Sequence, residues 1–175
     1  MDKDIRGETD MIRQAKPEDL ECIKAVAKRS KRKMNDEGNP QWNGSYPEAF
    51  YEDDIHNRQL YVYEIGGTIV GAVCISTEGH EEYAEIPWTY KEPYLCMKRL
   101  AVDPDYQGKS IAQSFFRFTE ELGKEKGIHY ICADTNAINE AALRLFNRAN
   151  YQFVIEKYQE GEPFPFRYYE KKIHS

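Results

Sequence analysis

Between Leu100 and Ala112 the chain reads Leu-Ala-Val-Asp-Pro-Asp-Tyr-Gln-Gly-Lys-Ser-Ile-Ala. An apolar strand enters a turn at Asp103-Pro104-Asp105 and leaves it as a helix, since Ile111, Phe115, Phe118 and Leu122 recur at helical spacing. The first backbone N–H groups of such a helix have no partner within it and point outward at the positive end of its dipole, which makes an anion site suited to a pyrophosphate. Small residues at 108, 110 and 112 allow a ligand to approach the backbone, and Lys109 adds a point charge. A strand–turn–helix junction of this kind requires an α/β architecture with the helix packed back on its sheet.

The remaining pattern extends that architecture. Residues 1–10 are polar and read as an N-terminal arm, and residues 11–175 as a single domain with neither repeat nor linker. A strand over Ile12–Ala15 precedes a helix that starts at Pro17 and carries Leu20, Ile23, Val26 and Ala27 on one face. Its end, Lys28 to Lys33, is strongly basic and reads as solvated charge at a helix C-terminus, with a grip on phosphate or RNA as the alternative. Pro47–His56 reads as a short second helix. Leu60–Ile65 and Thr68–Thr77 read as a hairpin turned by Gly66-Gly67. Residues 78–93, acidic and aromatic, form an irregular loop over one end of the sheet. Tyr94–Val102 and Ile128–Ala133 are strands. A helix opens at Asn139 with Ala142, Leu145, Phe146 and Ala149 on its face, and Tyr151–Lys157 and Phe164–Lys172 are the last two strands.

Charge and composition exclude several functions. The formal net charge is −6, unlike the basic balance of a domain that works by holding nucleic-acid phosphates. The best apolar run, Ile69 to Ile75, has the length of a strand and not of a membrane span of about 20 residues. The charged start, Met1-Asp2-Lys3-Asp4, leads into no signal-peptide core, so a cytoplasmic protein is expected. The four cysteines, 22, 74, 96 and 132, form no C-x-x-C pair and read as buried free thiols in a reducing compartment. Neither they nor the four histidines have metal-ligand spacing, so no metal is expected.

Two nucleotide-type motifs compete for the junction. Gly108-Lys109-Ser110 imitates the end of a Walker A loop, but that motif needs glycine at 103, which is Asp103. Gln107-Gly108-Lys109-Ser110-Ile111-Ala112 resembles the Q/R-x-x-G-x-G/A acetyl-CoA signature of the GNAT superfamily of N-acetyltransferases. The preceding Leu-Ala-Val-Asp-Pro-Asp-Tyr-Gln and the later Asn139, Ala142, Leu145 and Asn150-Tyr151 resemble further family elements, and the likeness covers about residues 11 to 172.

The resemblance implies a mixed, mostly antiparallel sheet of about seven strands flanked by helices, with strands 4 and 5 splayed in a V that takes acetyl-CoA. It implies that the backbone of Leu100, Ala101 and Val102 holds the pantetheine arm and thioester, with Leu100 as the backbone oxyanion donor. The amides of Gln107, Gly108, Lys109, Ser110, Ile111, Ala112 and Gln113 would hold the pyrophosphate, Asn139 the pantetheine arm, and Phe146 would belong to the cofactor-binding set as well. The implied chemistry is direct acyl transfer to an amine, which must first lose a proton. Some family members carry a carboxylate base at the place of Asp134, which also reads as a turn cap in Asp134-Thr135-Asn136. Glu85 and Glu82 are the next candidates. The family's acid, a tyrosine, falls at Phe146, which has no proton to donate; Tyr94, Tyr106 or Tyr151 are substitutes, and a thiolate also leaves unaided near neutral pH. Asn150 replaces a family glycine, and asparagine tolerates left-handed backbone.

The acceptor side is read from the aromatic residues Trp42, Tyr46, Phe50, Tyr51, Trp88 and Tyr90, which either wall an amine site or cover the core. The acids Glu48, Glu52, Asp53, Asp54 and Glu78 to Glu85 favour a cationic amine or are simply solvated. The leading expectation is an N-acetyltransferase acting on a small amine. A non-catalytic acyl-CoA sensor, kept open by Phe146, and a peptide or protein acetyltransferase are the alternatives. Phe164 to Tyr169 reads as an interface strand for a homodimer or as an intramolecular hairpin strand.

Overall fold

The computed structural model describes residues 10–174, so the expected arm over residues 1–10 lies almost wholly outside the described residues. The strands are β1 (Asp10–Gln14), β2 (Leu60–Ile65), β3 (Thr68–Ser76), β4 (Leu95–Val102), β5 (Tyr130–Asn136), β6 (Gln152–Lys157) and β7 (Phe166–Lys172). The helices are α1 (Leu20–Asp36), α2 (Glu48–His56), α3 (Ile111–Lys126) and α4 (Glu140–Arg148). Short 3-10 turns occupy Pro17–Asp19, Glu81–Glu85 and Pro104–Tyr106. The seven strands form one sheet in the order β1-β2-β3-β4-β5-β7-β6. β1–β2, β2–β3, β5–β7 and β6–β7 run antiparallel and β4–β5 parallel. The β4–β5 ladder registers Leu95 with Ile131 and Cys96 with Cys132, and Met97 and Lys98 have no registered partner on β5. The ladder therefore stops early, as a splay between these strands requires.

The chain resolves into two compact units. One comprises the chain up to Cys74 together with Arg99–Phe115; the other comprises Ile75–Lys98 together with residues from Phe116 onward. In the first, Ile23, Val26, Ala27 and Ser30 recur at three- and four-residue steps and form the buried face of α1. Ile23, Val26 and Ala27 meet Trp42, Tyr51, Ile55, Leu60, Val62 and Ala72 in one cluster. Each such large apolar side chain contributes about 1.5–3 kcal/mol when fully buried. Gly71 is there for close approach: a Cβ would lie 3.0 Å from Phe115 Cε2 and 3.2 Å from the Ala101 carbonyl oxygen. In the second unit Tyr83, Ile86, Cys96, Tyr130, Cys132 and Tyr168 form the core.

Local chemistry explains where the elements depart from the sequence reading. Pro17–Asp19 is a single 3-10 turn ahead of α1, because Asp19 accepts from the Lys16 amide and a forked pair of bonds from Arg13. Gly66 and Gly67 both have positive φ, +55° and +84°, and Ile65 pairs with Thr68 across them, the two-residue hairpin turn expected. Ile128 belongs to the cap of α3 and not to a strand. Gly127 is left-handed at φ +70°, its amide bonds the Lys124 carbonyl, and the Ile128 amide bonds the Gly123 carbonyl. β5 consequently begins at Tyr130 and extends to Asn136. Asn150 is left-handed at φ +62°, as expected for its glycine-like position.

Two further readings are corrected, and a third is decided between its alternatives. Cys74, Cys96 and Cys132 are buried, but Cys22 is exposed, on the solvent side of α1 next to buried Ile23. The basic end of α1 is not merely solvated: Arg29 pairs with Asp103 at 2.5 Å, Lys31 with Glu48 at 2.8 Å, and Lys33 donates to the Gln107 side chain. The segment around Phe166–Tyr169 lies in β7, which is hydrogen-bonded to β5 on one side and β6 on the other, so it has no free edge to offer a second copy. Among the described residues no helix is long and apolar enough to cross a membrane.

Candidate active site

In the first unit, the β4–α3 junction forms as its sequence predicts. Ala101 is buried and Leu100 and Val102 are half-buried. Asp103, 5% exposed, ends the strand: its amide bonds the Val70 carbonyl, and its carboxylate accepts from the Asp105 amide and from Arg29. Gln107, Gly108, Lys109 and Ser110 follow as an exposed run, anchored by buried Ile111. Gly108 and Ser110 are both left-handed, at φ +81° and +61°. Glycine adopts this conformation freely, whereas serine carries a strain of about 1 kcal/mol. The first i→i−4 bond of the helix runs from the Ser114 amide to the Ser110 carbonyl. The amides of Ile111, Ala112 and Gln113 therefore precede the helical ladder and are available to an anion. Lys109 places its ammonium 5.5 Å from the Tyr106 ring centre, beside this run.

One position in β4 breaks the strand geometry. Arg99, the residue before Leu100, has φ +53°. Its guanidinium forms a two-point bond to Asp54, 2.8 Å from Nε and 2.6 Å from Nη2, with both side chains under a tenth exposed. The Tyr51 hydroxyl donates to the Arg99 carbonyl at 3.0 Å.

In the second unit, the extension of β5 places Asp134 inside the strand, opposite Tyr168. The turn-cap reading of Asp134 is thereby overturned. The Tyr83 hydroxyl donates to Asp134 Oδ1 at 2.5 Å and accepts from the Cys96 thiol at 3.6 Å. Dense packing around the Asp134 carboxyl, which keeps a residual opening to solvent, pushes its pKa up to about 7. The Tyr83 bond and Lys98 pull the other way, and Glu82 adds to the rise. Tyr83 is 3% exposed, and burial followed by the Asp134 charge holds its hydroxyl well above the usual phenol range, so it remains a donor. Tyr83 also lines an open cavity of about 760 Å³ with Glu78, His80, Trp88, Tyr90 and Tyr94.

The other expected residues are placed as follows. Glu85 is exposed and pairs with Lys157 at 3.3 Å, while Glu82 accepts from the Tyr168 hydroxyl. Asn139 caps α4, its Oδ1 accepting from the Ala142 amide at 3.2 Å, which leaves its amide nitrogen for a ligand. Phe146 is buried and stacked on Tyr169 at 4.5 Å, so the place of the family's tyrosine is filled by core packing. Tyr151, beside it at 5.2 Å, is buried with no partner for its hydroxyl. Trp42 and Tyr51 are core residues, and Glu48 and Asp54 are held in ion pairs, so these four do not wall an acceptor site. Tyr83 and Arg99 were not singled out by sequence. The only signal for Tyr83 was its place in an aromatic, acidic loop, and nothing local marks an arginine for positive φ. Among the described residues no cluster of three or more His, Cys, Asp or Glu side chains is arranged to hold a metal.

A seven-strand mixed sheet with a parallel β4–β5 pair leads into a glycine-containing turn after the fourth strand, and comparison with known proteins identifies the family to which this architecture belongs. The acetyltransferase (GNAT) family model matches residues 31–151. A GNAT-family acetyltransferase structure from Streptococcus agalactiae superposes with a TM-score of 0.84 at 22% identity, covering 96% of this chain and 98% of that one. One from Listeria monocytogenes superposes with a TM-score of 0.77 at 21% identity, covering 94% and 95%. YncA of Salmonella typhimurium, whose structure holds its cofactor acetyl-CoA, superposes at 0.65 with 15% identity and 95% coverage of both chains. A comparison with curated proteins finds no match. The chain belongs to the GNAT family of acetyltransferases.

Proposed function

We propose that the protein transfers the acetyl group of acetyl-CoA directly to a primary amine of a small molecule, with Asp134 as general base. The observation that carries this reading is the Tyr83–Asp134 pair: a carboxyl with a pKa near 7, bonded to a residue that lines an aromatic cavity. A base poised near the working pH is the one best matched to proton removal from an ammonium. The cavity's aromatic faces and the carboxylates of Glu78 and Glu81 suit a cationic amine.

In this reading the amides of residues 107–113, with Lys109, take the pyrophosphate, and the backbone of Leu100 to Val102 takes the pantetheine arm with Asn139. Asp134 accepts a proton from the ammonium. The freed amine attacks the thioester carbonyl carbon, and the charge that develops on its oxygen is met by the Leu100 amide. The C–S bond then breaks and CoA leaves as thiolate, whose reference pKa of about 8.5 allows departure without a side-chain acid, and the extra proton on the newly acylated nitrogen passes to that thiolate, giving the neutral amide and CoA thiol. This accommodates Phe146.

The test is thiol release from acetyl-CoA against polyamines, amino acids, aminoglycosides and short peptides. Release with a small amine supports the reading. Release with peptides alone moves the acceptor to a protein. Silence across the panel, with acetyl-CoA still raising the melting temperature, favours a binding-only sensor, the reading that Phe146 supports.

A further inference from the structure

We propose that Asp54 and Tyr51 are positioning residues for acyl transfer: acting through Arg99, they hold the kink in β4 that aims the Leu100 amide at the thioester carbonyl. The inference rests on the proposed role of that amide and assigns what sets its direction.

An arginine in the middle of a strand at φ +53° is uncommon, because a side chain with a Cβ is strained there. A left-handed residue in a strand acts as a bulge and turns the following peptide group off the regular ladder. Such a conformation persists only where the surroundings impose it. Here they do so at two points. The carboxylate of Asp54, on α2, takes both Nε and Nη2 of Arg99, a planar fork-to-fork match that fixes the side chain. The hydroxyl of Tyr51, one helical turn earlier, takes the Arg99 carbonyl, the peptide oxygen directly before the Leu100 amide. α2 thus holds Arg99 at two points, its side chain through Asp54 and its carbonyl through Tyr51, and with them the peptide group that leads to Leu100. The Arg99 guanidinium also lies 5.2 Å from the centre of the Phe50 ring, a third contact from the same helix.

Asp54 and Tyr51 are buried and belong to an element with no expected contact to the acyl group, so their effect on chemistry would pass through the backbone. A purely structural role would cost stability and leave the carbonyl's electronic state untouched. The two are separated by the carbonyl stretch of bound acetyl-CoA, read by difference infrared spectroscopy with acetyl-CoA labelled by carbon-13 at the thioester carbonyl. A hydrogen bond from a well-aimed amide lowers that frequency relative to free acetyl-CoA.

The expected result is a downward shift in the wild type that is largely lost in Asp54→Asn and reduced in Tyr51→Phe, with CoA affinity retained because the phosphate-holding amides are untouched. Tyr51→Phe removes one hydroxyl and keeps the ring, so it tests the inference even where Asp54→Asn does not fold. Both variants retaining the full shift overturns the inference while the proposed function stands. A wild type that binds acetyl-CoA with no shift removes the amide's role, and the inference with it. A wild type that fails to bind acetyl-CoA overturns the proposed function itself.

Discussion

The Tyr83 hydroxyl reaches Asp134 Oδ1 at 2.5 Å, joining the loop that lines the open cavity to the one carboxyl on β5 whose pKa is pushed to about 7. The bond favours the ionised carboxylate and so opposes the effect of burial. Removing it in Tyr83→Phe leaves only Lys98 opposing burial, and the acid limb of the pH–rate profile moves to higher pH. Asp134→Asn abolishes that limb and depresses the neutral-pH rate by about 10²–10⁴-fold, the usual contribution of a general base. Thiol-release rates from pH 5 to 9 check both, and an unchanged rate in Asp134→Asn rejects it as the base.

The same carboxyl makes stability depend on pH. Its folded pKa lies above the unfolded value, from 3.8 to about 7, so the native state binds the proton more tightly. The stability it contributes is complete below about pH 4, is lost as pH rises toward 7, and stays lost above. Asp134→Asn cannot ionise. It should be more stable than the wild type at pH 8 by about 2–4 kcal/mol, with the gap closing toward pH 4. Urea titrations at the two pH values measure it.

At the β4–α3 junction, Ser110→Glu puts a carboxylate beside the amides of 111–113, which precede the helical ladder and suit an anion. A ligand that binds only the native state at 100 times its Kd stabilises by about 2.7 kcal/mol. The wild type should therefore show a clear rise in melting temperature with acetyl-CoA, and Ser110→Glu none. A retained shift in the variant would place the pyrophosphate elsewhere.

Tyr151 buries a hydroxyl with no partner, and an unsatisfied buried hydroxyl is costly. Tyr151→Phe should gain about 1 kcal/mol in denaturant unfolding and leave thiol release unchanged. A lower rate at undiminished stability would instead make Tyr151 the acid that Phe146 is not.

Glu170, 5% exposed, accepts from the Tyr130 hydroxyl, from the Thr89 hydroxyl and, at 3.0 Å, from the Thr89 amide. It ties the segment before β4 to β7. Glu170→Gln, which converts an acceptor-only group into one carrying donors, should raise hydrogen exchange in residues 86–94 and leave β6 unchanged.

The junction at 100–113 was legible because its chemistry is local. Asp-Pro-Asp ends a strand, Gly108 takes a positive φ, and unpaired amides follow wherever a helix begins. The hairpin at Gly66-Gly67 and the buried face of α1 are legible for the same reason, since turn geometry and periodicity act over a few residues. Asp134 was legible as a residue but not as an environment. Its sequence neighbours Thr135 and Asn136 favour a turn, and only pairing of β5 with β7 as far as Asn136 keeps it in a strand. Its hydroxyl partner lies 51 residues earlier.

By itself, the sequence determined the order of strands and helices and the turn that opens α3, because each depends on backbone propensities and short-range spacing, and its motifs carried the resemblance to the family. The tertiary structure alone decided which carboxyl lies beside a tyrosine, which acids are spent in ion pairs, and which strand residue is held left-handed. Those outcomes depend on burial and on partners such as Asp54 and Arg99, 45 residues apart. Desolvation and pairing are properties of a packed interior, and no window of sequence contains them.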